Sequence, residues 1–374
     1  NLAPNWSVAA INQKMDIAFD DSVTTHFTNR SVIGGMDMDQ DGKQEVIATS
    51  YDGARVIVYE HDAANSAFDV VWASPVPDSL WHAYNVRAVG VGDLDGDEKQ
   101  EIVFPLSDKV RPGWYVYEWD GVAGSDNYGT QPSSVNQIEV DTCCTDGVGY
   151  RADQERVQIY DVDQDGEQEL IISVRRGAPR GILVTSVTGD IEHNSGGSLE
   201  EWSTEFWMDR SDVGGGSPYG ATPADLDGDS LNEMVYHGWG SMNFAVIKAD
   251  SADSYSIPHA DSTDRNYYAY ANDDFSLNYG YTTDIDEDGD DEVYYSSYGW
   301  GLGFGGGPGG HVNVVDYDPG DDVHKINGDH VTEIAHAVGV FIGDALDIDG
   351  KKSILVGASR PGVTALEYLG GDPS

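Results

Sequence analysis

Short segments rich in β-branched and aromatic residues recur along the chain, and glycine-rich and acidic turns separate them. In the first part of the chain these segments are residues 31–36, 46–50, 55–59 and 68–73. Counterparts of the third segment recur at residues 114–119, 181–185, 243–247, 311–315 and 363–367. Helical periodicity is almost absent. The pattern therefore predicts an all-β chain in which each unit contributes four short strands.

Five acidic strings precede the second strand of successive units. They span residues 37–45, 93–101, 161–169, 225–233 and 284–292, and each places Asp at positions 1, 3 and 5 and Glu at position 9. Their first aspartates are 56, 68, 64 and 59 residues apart. A sixth, shortened copy begins at Asp347, a further 63 residues along, and lacks the glutamate. A period of about 60 residues indicates a repeat architecture.

The spacing of the acids in each string predicts a calcium loop. Four carboxylates within nine residues repel one another unless a cation lies among them. Ca²⁺ accepts many oxygen ligands in flexible geometry, which suits these strings better than Mg²⁺ does. A glycine at position 6 or 4 permits the bend, and the position-7 carbonyl oxygen and the closing Glu complete the shell. The predicted ligands of about five Ca²⁺ ions are Asp37, Asp39, Asp41, Lys43, Glu45, Asp93, Asp95, Asp97, Lys99, Glu101, Asp161, Asp163, Asp165, Glu167, Glu169, Asp225, Asp227, Asp229, Leu231, Glu233, Asp284, Asp286, Asp288, Asp290 and Glu292. The alternative is five solvated acidic turns without metal.

A four-stranded blade cannot bury both of its faces alone, so the units are expected to stack around an axis. This arrangement is a β-propeller. We predict a single domain, residues 1–374, of six blades at approximately residues 31–76, 86–142, 155–208, 219–260, 277–335 and 337–369. Residues 5–8 resemble fourth-strand segments such as residues 71–74. A strand within residues 3–11 is therefore expected to close the last blade. Seven blades are the alternative, if a long insertion hides an unmarked blade.

The strings resemble FG-GAP or VCBS repeats, the calcium-loop blades of integrin α-chain propellers. Three strings read Asp-x-Asp-x-Asp-Gly-x-x-Glu and two read Asp-x-Asp-Gly-Asp-x-x-x-Glu, and the resemblance extends over residues 31–369. It implies a calcium-binding β-propeller. Related proteins include adhesion ectodomains, lectin-like propellers and some polysaccharide lyases, so the resemblance does not select one function. The degenerate sixth loop and the weak phenylalanine-glycine match depart from the family pattern.

The charge of the chain narrows the classes of partner. The 374 residues include 66 acids and 20 bases, which gives a formal net charge of −46. This excess argues against nucleic acid or an anionic membrane as a partner. Calcium is abundant outside cells, so the loops predict a secreted, extracellular or cell-surface protein. No apolar run approaches the length of a membrane span.

The two cysteines, Cys143 and Cys144, are adjacent. An oxidising compartment favours a vicinal disulfide between them. Such a bond would rigidify a turn and expose a flat apolar surface. The alternative is two free or separately paired thiols.

A ligand site is predicted on the propeller face opposite the calcium loops, where the loops are irregular. Basic residues are scarce in the chain, yet several occur in these loops among aromatic residues. Arginine pairs with carboxylate or sulfate groups, and exposed aromatic rings stack on sugars, so the combination favours an acidic glycan. The candidate residues are Trp81, His82, Tyr84, Arg111, Arg151, Arg175, Arg176, His237, Trp239, Tyr298, Trp300 and His311. The alternative is that they serve core packing and local ion pairing.

Three classes of function fit the sequence. The first is recognition, by a secreted or surface propeller that binds a glycan or an extracellular protein. The second is a polysaccharide lyase acting on uronic-acid polymers, with a His or Tyr as base and a cation at the carboxylate. The third is a structural subunit that self-assembles into an extracellular filament or coat. The sequence has no nucleophile elbow, zinc motif or nucleotide-binding signature, so no catalytic residue is assigned.

Overall fold

A computed structural model provides the structure of the protein. It describes residues 10–12, 30–50, 55–62, 64, 67–75, 85–106, 113–137, 153–176, 180–197, 199–239, 244–261, 275–299, 310–318, 323–334, 342–347, 352–358 and 362–370. Within these ranges, none of the helical segments is long and apolar enough to cross a membrane.

The described residues form an all-β fold, as predicted. The 3-10 helix Arg210–Val213 is the one helical element among them. The strands are β1 (Ala10–Asn12), β2 (Val32–Met36), β3 (Glu45–Ser50), β4 (Arg55–Asp62), β5 (Ala67–Ala73), β6 (Gly90–Gly92), β7 (Glu101–Leu106), β8 (Gly113–Glu118), β9 (Ser134–Gln137), β10 (Asp153–Tyr160), β11 (Glu169–Arg176), β12 (Gly181–Thr188), β13 (Glu201–Asp209), β14 (Ser217–Ala224), β15 (Glu233–Trp239), β16 (Phe244–Ser251), β17 (Ser254–Asp261), β18 (Phe275–Thr283), β19 (Glu292–Gly299), β20 (Gly310–Asp318), β21 (Val323–Ile334), β22 (Ile342–Asp347), β23 (Lys352–Ala358) and β24 (Gly362–Glu367).

Consecutive strands pair into separate sheets, which is the arrangement of a β-propeller. The strand orders are β1-β5-β4-β3-β2, β6-β7-β8-β9, β10-β11-β12-β13, β14-β15-β16-β17, β18-β19-β20-β21 and β22-β23-β24. Each acidic string joins the first and second strands of a four-stranded blade. The closing Glu is in every case the first residue of the second strand.

The predicted number of blades is wrong. The described residues form five blades of at least four strands, not six or seven, and the sheet β22–β24 has only three strands. The N-terminal strand β1 does not close that sheet. It pairs in parallel with β5 of the first blade, with Ala10 opposite Ala67. The outer strand of a blade presents unpaired backbone groups to any neighbouring segment, and β1 uses the edge of β5. Of the predicted closing segment, residues 3–11, only residues 10 and 11 lie within the described residues.

The chain divides into two compact units. The first comprises Asn1–Ile159 and Val187–Trp202. Every residue of its strands β7 and β8 is buried. Its core centres on Trp72, whose ring meets Tyr117 and Tyr128 edge-on at centroid distances of 5.1 and 5.4 Å. The indole Nε1 donates to the carbonyl oxygen of Gly129 at 3.0 Å, so the buried ring keeps its polar atom satisfied.

The second unit comprises Tyr160–Ser186 and Ser203–Ser374. The strand β14 contacts both β11 and β18, and β18 also contacts β22, so successive sheets of this unit pack in chain order. Tyr295, fully buried in an apolar cluster with Leu226, Val235 and Val315, donates its hydroxyl to the carbonyl oxygen of Val235 at 2.6 Å. This hydrogen bond joins the second strands of two neighbouring blades.

Close packing between these blades depends on Gly280 of β18. A Cβ at this position would lie 2.4 Å from Thr222 Oγ1 and 2.6 Å from Tyr295 Cε1. We therefore expect Gly280→Ala to lower the free energy of unfolding by about 1–3 kcal/mol, since a packed core resists an added methyl group. Urea unfolding in calcium buffer measures the change.

Gly34→Ala is the matched control, because Gly34 also lies in the first strand of a blade. Its Cβ would meet Val46 Cγ2 at an ordinary 3.4 Å. We expect its unfolding free energy to stay within about 1 kcal/mol of the parent value. Equal effects of the two substitutions would contradict the packing described for Gly280.

Candidate metal centre

The closing glutamate of each acidic loop is buried and anchors the start of the loop. The five side chains, Glu45, Glu101, Glu169, Glu233 and Glu292, are at most 2% exposed. In each, Oε2 accepts the backbone N–H of the loop's position-2 residue, at 2.6–2.9 Å. The donors are Met38, Leu94, Val162, Leu226 and Ile285, and their side chains are buried. One glutamate therefore fixes a polar turn to the apolar core.

Two left-handed backbone positions shape every loop. Positions 4 and 6 have positive φ in all five, for example Gln40 at 58° and Gly42 at 86° in the first, and Gly96 at 74° and Glu98 at 70° in the second. Glycine adopts this conformation readily, whereas other residues do so at a cost. The loop therefore needs a glycine at one of the two positions, which explains why the motif has two versions in the sequence.

Backbone N–H groups fold the loop around the aspartates. In the first loop, Asp37 Oδ2 accepts the N–H of Gly42 at 3.0 Å, and Asp39 Oδ1 accepts that of Asp41 at 3.2 Å. Asp41 Oδ1 accepts the N–H of Lys43 at 2.8 Å. The second loop repeats all three bonds. These bonds direct the aspartates inward, as short polar side chains do in turns.

The oxygen atoms gathered in this way fit a divalent cation. In each of the first three loops, the three aspartates and the glutamate bring one oxygen apiece within 4.8 Å of one another. Several carboxylate oxygens of these residues are buried and have no hydrogen-bond partner in the described part of the chain, including Glu45 Oε1, Glu101 Oε1 and Asp161 Oδ1. A buried carboxylate oxygen without a donor is costly. An all-oxygen set of this charge is the kind that Ca²⁺ prefers.

Burial changes the proton affinity of the closing glutamates. Desolvation raises the pKa of Glu45 and Glu233 to about 7 and that of Glu169 and Glu292 to about 8. The pKa of Glu101 is raised for the same reason. The loop aspartates add to the effect by repelling the charged form. Without a cation, the folded protein therefore holds protons that the unfolded chain releases near pH 4.5.

Lysines partly compensate the charge of three loops. Lys43 Nζ lies 2.5 Å from Asp41 Oδ2 and 2.6 Å from Glu60 Oε1, and Lys99 pairs with Asp97 and lies 3.4 Å from Glu118 Oε2. Lys248 comes from strand β16 and lies 2.5 Å from Asp227, 2.7 Å from Asp229 and 3.2 Å from Glu233. Sequence reasoning missed Glu60, Glu118 and Lys248, since only strand pairing brings them to the loops.

The predicted ligand face is described only in part. Arg175 and Arg176 end strand β11, and His237 is buried with its ring 4.8 Å from that of Tyr295. Trp239, Tyr298 and His311 belong to β15, β19 and β20. The remaining candidates lie outside the described residues, namely Trp81, His82, Tyr84, Arg111, Arg151, Trp300, Cys143 and Cys144, as does most of the sixth acidic string.

The raised pKa values predict a pH dependence of the metal-free protein. A carboxyl group with a raised folded-state pKa contributes stability that is full below about pH 4.5 and is lost as the pH rises through 7 to 8. Binding of Ca²⁺ requires the deprotonated carboxylates, so calcium should release protons at pH 7 and almost none at pH 9. Calorimetric titration in two buffers of different ionisation enthalpy measures the release.

Glu167→Gln is a suitable control for that titration, because Glu167 lies at position 7 and its side chain is exposed. It should leave the proton release unchanged, whereas Glu169→Gln should reduce it. Proton release of equal size at pH 7 and pH 9 would contradict the assignment.

Comparison with known proteins agrees with this architecture. Residues 37–104, which include the first two loops, match the family described as FG-GAP-like repeat. No curated protein sequence matches the chain. A protein from Lactobacillus plantarum is similar in structure, with a TM-score of 0.53 and 8% identity over 90% of this chain and 83% of its own. The periplasmic gluconolactonase of Pseudomonas aeruginosa has a TM-score of 0.52 and 8% identity over 86% and 81%.

A third structure belongs to an Agrocybe aegerita lectin that recognises non-reducing terminal N-acetylglucosamine. Its TM-score is 0.47, with 15% identity over 91% of this chain and 81% of its own. At these identities the first two similarities concern the fold alone. The chain is thus a β-propeller that carries an FG-GAP-like repeat over residues 37–104, with the acidic loop of that repeat present in all five blades.

Proposed function

We propose that this protein is a secreted or cell-surface propeller, stabilised by calcium at its five acidic loops, that recognises acidic glycans. The calcium part follows from the buried glutamate oxygens described above. The recognition part rests on a group of arginines at the opposite ends of the strands. The two parts are separated along the blade, so the loops have a structural role and the arginines bind the ligand.

The arginines belong to the third blade and to the 3-10 helix that follows it. Strand β11 begins at the calcium loop with Glu169 and ends with Arg175 and Arg176. At the usual rise of a strand, Arg175 lies about 20 Å along the blade from Glu169. Arg180 precedes β12, and the backbone N–H of Arg210 donates to its carbonyl oxygen at 2.9 Å. Four arginines therefore come from one end of the third blade and the 3-10 helix that leads to the fourth.

An aromatic ring accompanies these arginines. The guanidinium carbon of Arg175 lies 5.2 Å from the ring centroid of Tyr219 in β14. Stacking on an aromatic face limits the freedom of a guanidinium, whose N–H donors lie along its edge. This stacked pair is the observation that supports the proposal most directly. Tyr219 and Arg210 were not among the candidates chosen from sequence, since no motif marks them.

The acidic surface of the remaining protein favours binding of an anionic ligand at the arginine group rather than elsewhere. With a formal charge of −46, most of the surface repels anions. A carboxylated or sulfated sugar is therefore directed to the few places where arginines collect. Arginine binds such groups through two parallel N–H donors, which lysine does not offer.

The lyase and assembly alternatives gain no specific support from the described residues. A lyase requires an accessible base beside the sugar carboxylate. His237, one candidate base, is fully buried against Tyr295. We therefore treat cleavage of uronic-acid polymers and self-association as outcomes that the binding experiments detect, through absorbance of unsaturated uronates and through particle size.

We expect Arg175→Ala to weaken binding to sulfated and uronic-acid oligosaccharides by roughly tenfold. A charge-assisted hydrogen bond contributes about 1.5–3 kcal/mol, and about 1.4 kcal/mol corresponds to a factor of ten. A glycan array in calcium buffer identifies the ligand, and titration calorimetry with the best oligosaccharide measures the affinity of each variant.

Arg30→Ala is the matched control, since it removes the same charge from an exposed position in the first blade region. Its affinity should remain at the parent value. Absence of any acidic glycan among the array hits, or equal affinities of the Arg175→Ala variant and the parent, would overturn the proposed recognition.

A further inference from the structure

In three of the blades, the closing glutamate lies opposite a charged residue of the third strand. The paired residues are Glu45 and Glu60 in the first blade, Glu101 and Glu118 in the second, and Glu233 and Lys248 in the fourth. The first two blades therefore add a further carboxylate beside the acids at positions 1, 3, 5 and 9 of the loop. The fourth blade places an ammonium group at the same position.

Glu118 is the clearest member of this set. Its side chain is fully buried, and its Oε1 has no hydrogen-bond partner in the described part of the chain. Its Oε2 lies 3.4 Å from Lys99 Nζ. Glu118, Asp95, Asp97 and Asp190 each bring one oxygen within 4.8 Å of the others. A buried glutamate with an orphan oxygen thus points into a four-carboxylate cluster.

Asp190 reaches this cluster from the turn after β12, in the following sheet. The neighbouring backbone N–H of Ile191 donates to Asp95 Oδ2 at 2.7 Å, which holds the turn against the loop. Asp190 itself is exposed. The cluster therefore joins the acidic loop of the second blade to a turn of the third blade.

The first blade repeats the arrangement. Asp39, Glu60 and Asp126 bring oxygens within 4.8 Å of one another, and Asp126 lies between β8 and β9 of the second blade. Asp39 Oδ2 and Asp126 Oδ1 are both buried without a hydrogen-bond partner among the described residues. The N–H of Gly124 donates to the carbonyl oxygen of Asp39 at 2.8 Å, in the same role as Ile191.

The fourth blade shows that a cation belongs at this position. There Lys248 replaces the glutamate, and its Nζ contacts Asp227, Asp229 and Glu233 of the loop at 2.5–3.2 Å. The chain itself therefore supplies a positive charge where the first two blades supply another carboxylate.

The balance of charge around Glu118 requires more than one loop ion. The two overlapping clusters at the second loop contain six carboxylates, and Lys99 is the one lysine that pairs with them among the described residues. The six are Asp93, Asp95, Asp97, Glu101, Glu118 and Asp190. A single Ca²⁺ would leave three negative charges uncompensated in a partly buried site, which is unfavourable at low dielectric. A second divalent ion would leave one.

We propose that the carboxylate clusters at Glu118 and Glu60 each bind a second divalent cation, Ca²⁺, which ties an acidic loop to the following blade. The oxygen-only donors select a hard cation. This inference rests on the proposed calcium-stabilised function, and it assigns a ligand role to Glu60, Glu118, Asp126 and Asp190, which lie outside the acidic strings. The fourth blade needs no such ion, because Lys248 takes its place.

The number of calcium ions bound per chain tests the proposal. Equilibrium dialysis against calcium chloride, followed by metal analysis, should give one ion fewer for Asp190→Asn than for the parent. Glu118→Gln should also lose one ion. The double variant should lose the same single ion, because both residues hold it. Glu192→Gln, an exposed change in the same turn, should lose none.

A count that is unchanged in Asp190→Asn would overturn the second ion while leaving the loop ions in place. A parent protein that binds no calcium would instead overturn the calcium-stabilised function as a whole. Since Asp190 is exposed, its variant gives the answer even if Glu118→Gln fails to fold.

Glu118→Lys provides an independent test, because it copies the arrangement of the fourth blade. We expect this variant to bind one calcium ion fewer and to melt at a higher temperature than the parent in EDTA, where the new ammonium replaces the missing cation. A melting temperature in EDTA at or below that of the parent would contradict a cation site at Glu118.

Discussion

In each of the five blades, the second strand begins with a glutamate whose carboxylate is buried when the protein folds. One oxygen of this closing glutamate accepts a backbone N–H. In the first three blades, the glutamate also forms a cluster with the three aspartates of its loop. Burial of a charge is costly unless a counter-charge accompanies it. The backbone conformation of the loop and the packing of the blade core therefore depend on how this charge is neutralised. A proton, a lysine or a divalent cation can neutralise it.

The same glutamate links the loop to the packing of the blade. Its hydrogen bond holds the position-2 residue, and that residue is an apolar side chain buried in the core, such as Met38 in the first blade and Leu226 in the fourth. A loop that loses its shape would withdraw this side chain from the core. The stability of the blade therefore depends on neutralisation of the loop charge. The following blades contribute further carboxylates, because Asp126 lies beside the loop of the first blade and Asp190 beside the loop of the second.

Much of this arrangement was predictable from sequence, because it depends on residues that are close together in the chain. The acidic spacing located the loops, and the segments after each closing glutamate became strands. The alternation between glycine at positions 4 and 6 was visible in the sequence, but only the positive φ at both positions explains it.

Contacts between distant strands were not predictable. Lys248 and Glu118 look like ordinary charged residues until the pairing register places them opposite a closing glutamate. The predicted number of blades was wrong for the same reason. Several strand edges can pair with the N-terminal strand, and the local sequence does not identify which one does. His237 was misleading because a histidine beside glycine and tryptophan resembles a surface site, whereas it packs against Tyr295.

The melting temperature in the presence and absence of calcium tests the central claim most directly. A ligand that binds only the folded state stabilises it by about 2.7 kcal/mol per site at one hundred times its dissociation constant. With several loops acting together, we expect melting at pH 8 to occur at least several degrees lower in EDTA than in millimolar calcium. The difference should shrink at pH 5, where protons neutralise the closing glutamates. Equal melting temperatures in calcium and EDTA at pH 8 would contradict the dependence of this fold on a cation.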